Sequence, residues 1–88
     1  MIIFDGRLIN VTQYVPDVIY DACQTGVKEA VDQLFLEIKK LNSGQIIEFI
    51  SNDHMLREDL QAWVRKQRHT LVDRKDFGEI SYYYIEKR

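Results

Sequence analysis

Cysteine is nearly absent: Cys23 is the one thiol in 88 residues. No intrachain disulfide can form, and no Cys/His set has zinc-ligand spacing. A reducing cytoplasm is the expected compartment. Proline is as scarce, with Pro16 alone, and there are four glycines. No linker, internal repeat or low-complexity stretch divides the chain. No apolar run approaches the roughly 20 residues of a membrane helix. The opening "MIIFDGRLIN" lacks a basic n-region and a small-residue cleavage site, so no signal peptide is expected. An excess of positive charge is also missing. Twelve Lys and Arg stand against fourteen Asp and Glu, for a net charge of −2. That argues against a protein whose main business is coating nucleic acid, and leaves room for a local basic patch.

Hydrophobic residues make up 45% and charged residues 30% of the chain, the balance of a soluble globular protein. Its length suits a single domain over residues 1–88. Near the start, Asp5-Gly6 between apolar runs predicts a short hairpin, or one strand with a bulge at Gly6. Pro16 marks an edge or a connection, because it cannot donate to a ladder. "VIYDA" reads as a short strand.

From Val27 the period changes. Val27, Ala30, Val31, Leu34, Phe35, Ile38 and Leu41 follow the i, i+3, i+4, i+7 rhythm of one helical face. Thr25 is the expected N-cap. "NSG" at 42–44 ends the helix, with Asn42 or Gly44 left-handed. "QIIEFI" is a central strand with little polar face. A second helix is expected near 54–67, capped by Asp53 or Asn52. Leu56, Leu60, Trp63, Val64 and Gln67 mark its inner side. "HTLVDR" is a third strand and Gly78 a turn. "EISYYYIEK" is a fourth, with Ile80, Tyr82 and Tyr84 on one side and Tyr83 and Ile85 on the other. The expected fold is α/β (α+β). It is a two-layer sandwich, a four-stranded mixed sheet with two helices on one face, plus an N-terminal strand or hairpin extension.

From Asp21 onward the chain resembles the TusA/SirA/YedF family of small sulfur-carrier proteins. Asp21-Ala22 is similar to the pair that ends the family's first strand. Ser43-Gly44 resembles its Pro-Gly turn, and Ser51-Asn52-Asp53 its Ala-Asp-Asp ending. Asp59 and Trp63 resemble its second-helix residues, "RHTLV" with His69 its "GHELL" strand, and "DFGEISYYYIEKR" its last hairpin. The resemblance implies a family-like core over 19–88, with 1–18 as an extension. It also marks a departure. The family's Cys-Pro-x-Pro motif falls on Val27, Lys28 and Ala30, and two further prolines fall on His54 and Gln61. The family's relay of sulfur as a cysteine persulfide therefore does not carry over, because its cysteine position holds an aliphatic side chain.

Four constellations remain. Cys23 is a candidate catalytic thiol for sulfur or redox transfer, since thiolates form near helix N-termini and cations. Its plainer reading is a small, partly buried residue. Thr25, Gly26, Val27 and Lys28 are candidate binding residues for an anion, a nucleotide or a flavin at a helix start. Their plainer reading is a capped helix with a solvated lysine. The resemblance adds Asp53 and Asp59 to the binding set. Arg65, Lys66 and Arg68, with His69, Arg74 and Lys75, form a basic cluster for RNA, with Tyr82, Tyr83 and Tyr84 as stacking faces. Their plainer reading is a solvated helix end. His54 and His69 have no acid or third ligand in reach of the sequence argument. No cofactor or metal is implied, and no membrane contact. The favoured function is a non-catalytic relative of the sulfur carriers, a protein-interaction module docking through residues 21–28.

Overall fold

A computed structural model describes residues 15–23, 26–53 and 56–88. The expected N-terminal hairpin at Asp5-Gly6, the Thr25 cap and His54 lie outside them. The elements are β1 (Val18–Asp21), α1 (Val27–Lys39), β2 (Ile46–Ser51), α2 (Leu56–Lys66), β3 (Thr70–Phe77) and β4 (Ile80–Glu86). The sheet order is β1-β2-β4-β3, with β1 parallel to β2 and the other pairs antiparallel. Helix α1 closes the parallel pair, as a crossover must.

Burial alternates strictly along β2, so Ile47, Phe49 and Ser51 face inward. The register sets Tyr20, Phe49 and Tyr83 side by side across three strands. Their ring centroids are 5.6 and 6.2 Å apart. Ala30, Leu34 and Ile38 of α1 and Leu56, Leu60 and Val64 of α2 bury onto this row. Both helices therefore cover one face, as their periodicity predicts. Phe35 and Trp63 bridge the helices edge to face at 6.0 Å. Each large apolar side chain taken out of water contributes about 1.5–3 kcal/mol.

The outer face carries Ile19, Glu48, Ile50, Tyr82 and Tyr84, again as the alternation of β4 predicts. Tyr84 is nevertheless buried. It stands opposite Glu48 and Asp73, and Lys75 Nζ lies 5.6 Å from its ring centre.

Two expected details are corrected. Gly26, not Thr25, is the N-cap of α1, and no side chain caps that helix. Gln67 is exposed rather than inward, because α2 stops at Lys66. The chain turns there through Arg68 at φ 65°. Arg68 N–H donates to Arg65 O and His69 N–H to Val64 O, both at 3.0 Å, which together close a Schellman motif. The C-terminus of α1 is closed differently. Lys87 Nζ donates to Leu41 O at 2.9 Å and to Lys39 O at 3.3 Å, and Gly44 takes the expected left-handed φ of 87°.

Candidate functional site

Both helices run back against the strands that precede them, so their N-termini share one end of the sheet. The loop after β1 lies there, beside the end of β2, since Asp21 pairs with Ile50. Ala22 is buried and continues the ladder, its N–H donating to Ile50 O at 2.7 Å. Cys23 comes next and is half-buried. Its N–H donates to Asp21 Oδ1 at 2.9 Å, a local turn of the Asx kind. The thiol is pushed above its ordinary range by burial first. The hydrogen bond to Asp21 and that carboxylate's charge push it the same way. A thiolate is the nucleophile, so these contacts work against reactivity. The Asp-x-Cys spacing is the sequence signal for this contact, and weighing Cys23 only against a helix N-terminus and nearby cations misses it.

At the start of α1, Gly26 has φ −60° and ψ 149°, an extended conformation open to any residue. A Cβ there would meet only Glu29 Oε1, at 3.9 Å. Neither the conformation nor the surroundings require glycine at this position. Glu29 already places a carboxylate in the first turn, where the helix dipole favours negative charge. Lys28 is exposed. Asp53 and Asp59 lie at the same end of the molecule. Asp53 is half-buried, its N–H donating to Ser51 Oγ at 3.1 Å. Asp59 is exposed in the first turn of α2. The structure therefore gathers Cys23, Gly26, Lys28, Asp53 and Asp59 at one end. Thr25 lies outside the described residues.

Arg65, Lys66 and Arg68 are exposed at the opposite end. The wider basic cluster does not hold together. Arg74 is paired with Asp76 at 2.9 Å on β3, and Lys75 sits over Tyr84 on the outer face. Tyr83 is fully buried, so the three tyrosines form no common platform. Around Arg65 there is an open cleft of about 260 Å³, lined by Gln61, Val64, Arg65, His69, Thr70 and Leu71. Gln61, Thr70 and Leu71 carry no sequence signal of this, because the turn that assembles the cleft has no glycine to announce it. His69 accepts the Arg88 N–H on Nδ1 at 3.2 Å. Burial, then the charge of Lys87, lowers its pKa.

Among the described residues no three His, Cys, Asp or Glu side chains gather to hold a metal ion. No helix among them is long and apolar enough to cross a membrane.

Residues 31–87 match the family described as Sulfurtransferase TusA. The putative sulfur carrier protein YrkI of Bacillus subtilis (strain 168) is 36% identical over 50 residues, which are 57% of this chain and 67% of that protein. The sulfur carrier protein TusA of Pseudomonas putida (strain W619) is 26% identical over 77 residues, 88% of this chain and 96% of that protein. Its counterpart in strain GB-1 is 25% identical over the same length. With the mixed sheet and two helices already described, these matches lead to one conclusion: the chain belongs to the TusA sulfurtransferase family.

Proposed function

We propose that this member of the family is a small cytoplasmic module that works by docking to protein partners, with no covalent sulfur step. The docking surface is the loop 21–28 with the N-terminus of α1, on a core spanning 19–88 to which 1–18 are an extension. One observation carries the reading. The only thiol of the chain, Cys23, stands beside Asp21, which accepts its backbone N–H at 2.9 Å; burial first, then Asp21, raises the thiol pKa and disfavours the nucleophilic thiolate. The position that the family's cysteine would take by counting from Asp21 is Val27. A carbon side chain there offers no lone pair to accept a sulfur atom. What this end presents instead is Lys28, Glu29 and Asp59, exposed charges of both signs that suit recognition by complementarity.

A carrier using Cys23 is the second reading, favoured by the partial exposure of that residue in a loop. Incubation with a persulfide donor followed by intact-mass measurement separates the two. The expected outcome is an unmodified chain. A stable added sulfur atom that disappears in Cys23→Ser would establish the carrier and overturn the docking module.

A further inference from the structure

The cleft at the far end of the molecule is independent of the reading above. Its lining residues include groups able to donate: the Arg65 guanidinium and Gln61 amide from α2, and the Thr70 hydroxyl at the start of β3. His69 adds another. With Nδ1 occupied by the Arg88 N–H, the neutral ring carries its hydrogen on Nε2. No carboxylate lines the cleft. Its apolar part comes from Val64, which is buried, and Leu71, which is half-buried.

The turn that builds this cleft is strained. Arg68 holds a left-handed φ of 65° at the position where helices ordinarily place glycine. The left-handed conformation brings the Cβ of a side-chain-bearing residue close to the following carbonyl oxygen, which glycine avoids. Arg68 and Lys66 are exposed and flank the lining residue Arg65 in the chain. The same turn folds His69 back on α2, its ring 6.4 Å from that of Trp63.

We propose that this cleft binds a carboxylate side chain in an acidic segment of a partner protein. The donors match a planar anion, and a guanidinium grips a carboxylate with two parallel hydrogen bonds. The apolar lining suits an aliphatic neighbour of that carboxylate. RNA fits less well. Its bases find no exposed stacking row here, since Tyr82 and Tyr84 lie on the outer sheet face and Tyr83 is buried.

The test is a 1H–15N NMR titration of the full chain with an acetylated, amidated peptide of alternating leucine and glutamate. Three controls run beside it: its glutamine counterpart, isovalerate, and oligouridylate. Shifts should concentrate on the amides of Arg65, His69, Thr70 and Leu71. The glutamine peptide should bind at least about tenfold more weakly, since hydrogen bonds to a charged group are roughly twice as strong as neutral ones and ion pairing is lost. Arg65→Gln, an exposed change whose fold is checked by circular dichroism, should cost about tenfold in affinity for the glutamate peptide. Silence at those four amides, equal binding of the glutamine peptide, or no loss in Arg65→Gln would overturn the proposal. So would isovalerate binding as tightly as the peptide, which points to a free metabolite, or tighter binding of oligouridylate, which points to RNA.

Discussion

Asp21 accepts the Cys23 N–H through Oδ1, and the same carboxylate opposes ionisation of the sulfur two residues on. Asp21→Asn keeps an acceptor for the N–H and removes the negative charge. The thiol pKa should then fall, seen as a lower midpoint in the pH profile of alkylation by iodoacetamide. Burial, the larger cause, remains, so the midpoint should not drop into the range of activated thiols. Tyr84 offers the converse case on the outer face. Burial first, then the hydrogen bond to Glu48 and the charges of Glu48 and Asp73, push its phenol up to about 12. An unfolded tyrosine titrates near 10. The fold therefore favours the neutral form, and this contribution is complete below pH ~10 and lost as pH rises toward about 12. Alkaline unfolding followed by far-ultraviolet circular dichroism should show that loss, and Tyr84→Phe should flatten it. The alternation of β4 places Tyr84 outward, but alternation alone carries no sign of its burial. Glu48 and Asp73 stand opposite it on the two flanking strands and Lys75 lies over its ring, neighbours that only the register brings together.

At the scale of elements, both helices were legible because their apolar residues keep the helical rhythm and their cores bury on one face. Their ends were not. The start of α1 is an extended glycine with no side-chain cap, a weaker closure than the threonine expected one residue earlier. The end of α2 is a Schellman turn built on arginine, and composition gives no hint of it. Arg68→Gly should relieve the left-handed strain and raise stability by roughly 1 kcal/mol, read as a higher midpoint in urea with an unchanged slope. Strand β3 carries another feature beyond pattern reading, a register shift between Leu71 and Asp73. Asp73 Oδ1 there accepts the N–H of Arg74 at 2.8 Å. Charged side chains and a bulge along an edge strand discourage pairing with other chains. The two candidate sites divide along the same line. The loop at 21–28 stood out in the sequence through its cysteine and glycine, whereas the cleft at Arg65 depends on a turn and a strand start meeting in space.

The whole molecule has two unlike ends. The helix N-termini, with Glu29, Glu58 and Asp59 in their first turns, share one end. The helix C-termini, with Lys39, Arg65 and Lys66 in their last turns, share the other. Each set of charges complements the aligned helix dipoles. The net charge of −2 conceals this separation, since a sum carries no information on where the fold places each charge.

The strand directions have a consequence for anything attached to this chain. Asp17 N–H donates to Ile46 O at 2.7 Å, and Ile46 pairs with Glu86. The described chain thus enters and leaves at the same end, with only β2 between β1 and β4. A load applied between those two points pulls across the sheet and opens its ladders one rung at a time, the weak direction for a β-structure. A tether at either point also anchors the molecule by its basic end and holds the loop around Cys23 outward, farthest from the anchor.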